Sequence, residues 1–335
     1  MKKYVILAMA AVMVMAFTLP SYALENEFGG FWDTRFESRK YFSGFDRGDA
    51  IILPDGTVGT AGDDTQEQVA TRTRLYYTAK INDNLKLVNK FEMDAHWGGQ
   101  GTRNGAGVGN NRSYGQTGAD GVNIEIKNTY ADFNVGPVNF TVGVQGFDLF
   151  RSFYISEDAS GVIGRWKVMD NFVLAGSWLK AYEGGDGEAE NDDVDSYTIS
   201  SAFWFNENIS IKPSINWAFS DDPLAYATGA IYTPPGLDIV GIDDDLSQWT
   251  IGADFDMAYD NWGLWVTAVM QTGSVDDVAF DITGDGVADI VDDIDFKGYL
   301  LAIGGNVMLG GFDIYAEAAY GSGSDDIDEF GFSNP

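Results

Sequence analysis

Residues 246–272 read LSQWTIGADFDMAYDNWGLWVTAVMQT. From Trp249 to Tyr259 every second residue is apolar, and the positions between them carry threonine, glycine and aspartate before Ala258. A β-strand gathers alternate residues on one side, whereas a helix would scatter them around its axis. Asp260 and Asn261 are turn-forming residues, and a second apolar run follows them. The stretch therefore predicts a β-hairpin with one apolar and one polar face.

The same alternation recurs along the chain, cleanly in 209–220 and 312–320 and with more noise elsewhere. Each segment approaches or exceeds the about 9–11 residues of a tilted membrane-spanning strand. The thirteen predicted strands are 28–41, 67–81, 85–97, 122–135, 138–147, 160–168, 172–182, 194–205, 209–220, 246–259, 262–272, 296–309 and 312–321.

The connections between these strands alternate between short and long. The short ones are 82–84, 136–137, 169–171, 206–208, 260–261 and 310–311. The long ones, rich in glycine and aspartate, are 42–66, 98–121, 148–159, 183–193, 221–245 and 273–295. Outer-membrane barrels have short periplasmic turns and long external loops, whereas a soluble β-sandwich has no reason to separate the two kinds. The sequence predicts a single-domain, all-β, antiparallel transmembrane barrel.

The N-terminus predicts export. Lys2 and Lys3 precede an uncharged, mostly apolar run over 4–19, and Ser21 and Ala23 are the small residues of a cleavage site. The apolar run is shorter than the about 20 residues that a spanning helix needs. We expect residues 1–23 to be a cleaved signal peptide and residues 24–335 to form the barrel in the outer membrane of a Gram-negative bacterium.

Composition excludes several classes of function. The net charge of −31 repels nucleic-acid phosphates, and the absence of cysteine excludes disulfides, thiolate nucleophiles and Cys-ligated zinc. A chain that is this acidic and also 14% aromatic needs a fold that separates the two kinds of residue, as a barrel does. Six tryptophans fit aromatic girdles at the membrane interfaces: Trp32, Trp97, Trp166, Trp217, Trp249 and Trp262.

Several motifs resemble the start of a Gram-negative porin. They are GFWDTRFE at 30–37, RTRL at 72–75, NLKL at 84–87, Phe91-Glu92 and VGVQ at 142–145. The resemblance implies a trimeric diffusion channel of about 16 strands, whose third loop folds into the lumen as a constriction. The sequence departs from that family because it lacks a closing aromatic strand. We therefore expect a C-terminally truncated chain, forming most of a barrel of about 14–16 strands.

Charged residues gather on the lumen face of the first three predicted strands, and we expect them to line the pore and set ion selectivity. They are Asp33, Arg35, Glu37, Arg39, Arg72, Arg74, Lys86, Lys90, Glu92 and Asp94. The third long loop supplies candidates for an opposing constriction: Asp148, Arg151, Glu157 and Asp158. The alternative for any one of them is a solvated ion pair without a role in selectivity.

The loop 273–295 has the spacing of a calcium-binding loop. Its candidate ligands, with Gly286 permitting the sharp turn, are Asp281, Thr283, Asp285, Val287, Asp289 and Asp292. A threonine at the third position and an aspartate at the twelfth depart from the usual pattern, and no helices flank the loop. The alternative is therefore a plain solvated acidic loop. We expect no required cofactor and only this Ca²⁺ site.

Nothing in the chain has the pattern of an enzyme. The single histidine, His96, shares a strand face with Asp94, but the sequence contains neither a G-x-S-x-G nor an H-E-x-x-H motif. We expect a passive pore for ions and small hydrophilic solutes, embedded in outer-membrane lipid. The alternatives are a substrate-selective channel, for example for anionic sugars, and a plugged barrel that binds partners through its long loops.

The calcium hypothesis predicts that Asp285→Ala weakens Ca²⁺ binding, because the change removes the carboxylate at the fifth loop position. Calorimetric titration of the whole protein and of a 273–295 peptide measures this binding. Glu188→Ala, in an acidic loop without ligand spacing, is the control. If neither the protein nor the peptide binds calcium at millimolar concentration, the hypothesis is wrong.

Overall fold

The computed structural model describes residues 25–39, 50–52, 58–60, 66–97, 124–183, 193–221, 238–242, 245–281, 288–322 and 329–330. All regular structure in these ranges is β-strand. They contain no helix with the length and apolar character that crossing a membrane requires. The predicted signal peptide, residues 1–23, lies outside the described residues.

One compact unit covers residues 20–129. In it β1 (Glu25–Arg39) is followed by the short strands β2 (Ala50–Ile52) and β3 (Val58–Thr60), which pair with each other. The next strand, β4 (Gln66–Asn82), pairs antiparallel with β1 on one side and with β5 (Leu85–His96) on the other. A tight turn joins β4 and β5, and the Asn84 N–H donates to the Asn82 side-chain oxygen at 2.8 Å within it.

The strand β6 (Glu125–Val135) begins in the first unit, and the second compact unit runs from residue 130. Its further strands are β7 (Val138–Leu149), β8 (Ile155–Met169), β9 (Phe172–Tyr182), β10 (Val194–Asn206), β11 (Ile209–Ser220), β12 (Asp238–Ile242), β13 (Leu246–Tyr259), β14 (Trp262–Asp281), β15 (Ile290–Phe296), β16 (Tyr299–Leu309), β17 (Phe312–Gly321) and β18 (Glu329–Phe330).

The long strands of this second unit form one antiparallel meander. The pairs are β7–β8, β8–β9, β9–β10, β10–β11, β11–β13, β13–β14, β14–β16 and β16–β17. The far half of β14 extends beyond β16 and pairs there with β12 and β15. A two-residue contact between β15 and β18 is parallel. The all-β, antiparallel prediction is confirmed.

All thirteen predicted strands are present, but two connections are shorter than predicted. The loop predicted over 148–159 contracts to the turn Phe150–Tyr154, because β8 begins at Ile155. The loop predicted over 273–295 is largely strand, since β14 continues to Asp281 and β15 begins at Ile290. Carboxylates interrupt the apolar alternation in both segments, so the sequence does not predict them as strands.

The sheet of the second unit has its faces reversed relative to a water-soluble protein. On β13 the Thr250 side chain is fully buried, whereas its neighbour Ile251 is 39% exposed. On β10 Thr198 is buried and Ile199 is 62% exposed. Exposed apolar and buried polar side chains are unfavourable in water. They are what a strand needs when its outer side meets hydrocarbon. We call the side of Thr250 the polar face and the side of Ile251 the apolar face.

Aromatic rings cluster toward both ends of the apolar face. Trp217 stacks on Trp249 with ring centroids 5.4 Å apart, and Tyr259 stacks on Trp262 at 4.7 Å. Trp249 and Tyr259 lie 10 residues apart on β13. At about 3.3 Å per residue and a tilt of about 40°, that separation spans roughly 25 Å. This is the height of the apolar band on outer-membrane barrels.

Ile251→Arg is expected to lower the free energy of unfolding in lipid vesicles by about 2–4 kcal/mol, because it places a charge on a lipid-facing position. Urea titration with tryptophan fluorescence measures the change. Glu207→Arg, in the exposed turn after β10, is the control and should shift the value by less than about 0.5 kcal/mol. An equally small effect of both changes would mean that the apolar face does not contact lipid.

Candidate functional site

The strand register brings nine of the ten predicted pore-lining residues, all except Arg39, to one face of the unit 20–129. Asp33 lies opposite Arg72, and Arg72 lies opposite Asp94 on the next strand. The other face carries Phe28, Trp32 and Phe36 of β1, which are 81%, 67% and 77% exposed. The side chains of Arg39 and His96 lie outside the described part of the structure.

Arg72 and Arg74 of this charged face are held by carboxylates. Arg72 donates from Nε and Nη2 to the two carboxylate oxygens of Asp94, at 2.9 and 2.7 Å. The Arg72 Nη2 atom also lies 3.2 Å from Glu92, and Arg74 pairs with the same carboxylate. Glu92 is 2% exposed and therefore depends on these two arginines. The two arginines and the two carboxylates of β4 and β5 compensate each other's charge.

A turn with strained backbone geometry joins β7 to β8 in the second unit. Phe150, Arg151 and Ser152 have φ angles of 55°, 55° and 65°. Left-handed geometry costs residues other than glycine roughly 1–2 kcal/mol each. Such a run persists only where contacts hold it in place. Phe150 and Tyr154 supply those contacts, and each is only 2% exposed.

Phe150 and Tyr154 hold the turn against the polar face. A Cβ at Gly252 of β13 would lie 2.9 Å from the Phe150 ring, so only glycine leaves room for the ring there. The Tyr154 hydroxyl lies 3.2 Å from Asn216 Oδ1 and 3.4 Å from Gln248 Oε1. These partners stand on β11 and β13, so the turn reaches strands that are distant from its own.

Arg151 adds a charged contact between the turn and the polar face. Its guanidinium lies 4.8 Å from the centroid of the Trp265 ring, and it forms an ion pair with Asp256. Its Nε atom is 3.8 Å from Asp254, and Lys212 Nζ approaches Asp256 at 3.0 Å. Two cations and two carboxylates thus form one network beside an aromatic ring.

A cavity of 520 Å³ remains between the turn and the polar face. Its charged lining comes from the turn and from β7, β8, β11 and β13. These residues are Asp148, Arg151, Arg165, Lys212 and Asp254. Small residues form much of the remaining wall, namely Ser152, Ala175, Ser200, Ser201, Ala202 and Ser214. The site is polar and able to accept a small hydrophilic molecule.

Two of the four predicted constriction residues, Asp148 and Arg151, line this cavity. The other two, Glu157 and Asp158, lie in β8 as exposed residues and do not line it. Strand alternation puts Asp158 on the face opposite that of Arg165.

Three further cavity residues were not among the predicted site residues. Lys212 and Asp254 belong to the polar side of cleanly alternating strands, but strand phase alone does not say which strands face the turn. Arg165 follows two glycines in a segment of weak alternation. The sequence could have identified Arg165 only by alternation, which places it on the same face as the polar residues of the neighbouring strands.

The predicted calcium loop is described only in part. Asp281 is buried at the end of β14, and Asp289 and Asp292 lie at the start of the β15 segment. Thr283, Asp285 and Val287 lie outside the described residues. Within the described ranges no group of three or more His, Asp or Glu side chains is arranged to hold a metal ion. The calcium site stays a prediction.

No family model matches the chain, and no curated protein matches it. Solved structures resemble its fold. The outer-membrane channel DcaP of Acinetobacter baumannii is 15% identical, with 91% of this chain and 82% of that chain covered and a TM-score of 0.46. A porin refined at 1.8 Å is 14% identical, with 90% and 96% covered and a TM-score of 0.39. The Vibrio cholerae outer-membrane protein OmpT, in a trimer form, is 12% identical, with 90% and 89% covered and a TM-score of 0.37.

Phe150→Ala is expected to lower the free energy of unfolding by about 3–5 kcal/mol, because it removes the ring that holds the strained turn. Urea unfolding measures this loss, and trypsin cleavage after Arg151 reports release of the turn. Phe205→Ala, at an exposed position near the end of β10, is the control. A Phe150→Ala protein that resists trypsin and keeps its stability would contradict the anchoring role.

Proposed function

We propose that the chain forms an outer-membrane β-barrel through which ions and small hydrophilic solutes diffuse passively. The observation that carries this proposal is the reversal of the sheet faces. Strands cross a bilayer only in closed barrels, where apolar residues meet lipid and polar residues face the interior. Each unit taken by itself has a face suited to a lumen wall, namely the polar face in the second unit and the charged face in the first.

This proposal gives the charged residues a role. Arg72 and Arg74 contribute positive charge to the wall, and Glu92 and Asp94 compensate it locally. The acidic chain as a whole attracts cations, but screening confines such effects to about 8–10 Å. Charges at the narrowest passage therefore decide selectivity. Arg151 and its partners Asp254 and Asp256 are candidates, since the turn lies on the polar face at that point.

A second candidate is a barrel plugged by the turn, which would bind partners through its long connections. The apolar packing around the turn favours this alternative. Phe150 and Tyr154 belong to a buried cluster that also contains Leu179, Val269 and Leu300 from β9, β14 and β16. A plug of this kind would leave no open path for ions.

Two further expectations concern the oligomeric state and the absence of a catalytic role. The homotrimer is implied by the porin resemblance, and among the matched proteins a trimer form is described for OmpT. The absence of a catalytic role is inferred from the sequence motifs. Both stay predictions for this chain.

Single-channel recording after refolding into planar bilayers separates the pore from the plugged barrel. Discrete conductance steps are expected for the pore. A protein that shows the heat-modifiable electrophoretic mobility of a folded barrel but produces no steps would support the plugged alternative.

Neutralising the basic wall tests the role of the charged face. Arg72→Gln combined with Arg74→Gln should move the reversal potential in a salt gradient toward cation preference, because it removes two positive charges from the lumen wall. Lys297→Gln, in the exposed segment after β15, loses one charge as the control and should not move it. An unchanged reversal potential in the double variant would exclude these arginines from the conducting path.

A further inference from the structure

We infer that the cavity next to the turn Phe150–Tyr154 binds a small polyhydroxylated carboxylate, whose carboxylate group is held by Arg165. The inference rests on the proposed function for the route by which the solute arrives. Binding itself requires only the folded chain, so it can be tested without conduction.

Arg165 differs from the other cations of the cavity in its ion pairing. Arg151 and Lys212 are both paired with Asp256, and Arg151 also lies near Asp254. Arg165 donates from Nη1 to the Thr141 hydroxyl at 3.2 Å. Within the described ranges, no carboxylate lies within the 4.0 Å ion-pair distance of Arg165. A planar guanidinium with most of its donors unused matches a carboxylate.

The wall beside Arg165 is built to leave polar groups accessible. The β10–β11 pairing omits Ser201 and Ala202, which lie opposite Pro213 and Lys212, and proline has no N–H to donate there. Ser201 and Ala202 both line the cavity. Ser200 and Ser214 add two hydroxyls next to this gap. Hydroxyls and backbone groups of this kind suit a ligand that carries several hydroxyls of its own.

The carboxylate of Asp148 limits which ligands the cavity can bind. Asp148 lines the cavity and accepts a hydrogen bond from the Ser152 hydroxyl. It would repel a bare anion such as phosphate, whereas it can accept a hydrogen bond from a ligand hydroxyl. The volume of 520 Å³ has room for a molecule of monosaccharide size. A sugar acid offers the carboxylate for Arg165 and the hydroxyl donor for Asp148 in one molecule.

Calorimetric titration of the full chain, folded in detergent, tests the site with four probes: potassium glucuronate, glucose, acetate and inorganic phosphate. We expect glucuronate to bind at least about tenfold more tightly than each of the others, since only it satisfies both Arg165 and Asp148. Phosphate or acetate binding as tight as that of glucuronate would overturn the assignment of a polyhydroxylated ligand.

Variants of β8 test the anchor. Arg165→Gln should weaken glucuronate binding at least about tenfold, because a charged hydrogen bond is lost. Arg165→Lys should restore part of it. Lys167→Gln removes the same charge from the same face two residues along the strand, where Lys167 pairs with Asp170, and should leave binding unchanged. Equal effects of Arg165→Gln and Lys167→Gln would overturn the inference.

A second variant covers the case in which Arg165→Gln does not fold. Ala175→Leu fills the cavity without changing its charge and should abolish glucuronate binding. Persistent tight binding in that variant would overturn the assigned location. The same measurements test the pore and the binding site independently of each other. Binding without conductance contradicts only the pore, and conductance with no glucuronate binding contradicts only this site.

Discussion

The structure depends on one constraint, which is that a strand in hydrocarbon has only its neighbouring strands to satisfy its backbone N–H and C=O groups. The antiparallel meander from β7 to β17 meets that demand strand by strand. Once the backbone is paired in this way, the side chains alone decide which face meets lipid. Period-two alternation therefore places Ile251 on the apolar face and Thr250 on the polar face.

The polar face also provides the contacts that hold the turn Phe150–Tyr154 against the sheet. A charged residue such as Arg151 can lie over the sheet only because Asp254 and Asp256 point to the same side. Phe150 needs the space at Gly252, and Tyr154 needs the amide oxygens of β11 and β13. The strain of the left-handed run is offset by these contacts. The cavity is the space that the docked turn leaves open on the polar face.

The sequence predicts the strands and their faces well because alternation is a local property. Thirteen strands and six tight turns follow from spacing alone. The turn Phe150–Tyr154 was predicted as a longer loop, since Glu157 and Asp158 interrupt the apolar pattern of β8. The partners of Arg151 could not be predicted, because its meeting with Asp256 depends on contacts between segments that lie far apart in the chain.

Quenching of single tryptophans by brominated lipids tests the assignment of the two faces most directly. Trp249 lies on the apolar face, and Trp265 lies on the polar face beneath Arg151. In variants that keep one tryptophan each, brominated acyl chains should quench Trp249 strongly and leave Trp265 nearly unquenched. Equal quenching of the two, or stronger quenching of Trp265, would contradict the claim that the apolar face meets lipid and the polar face lines the interior.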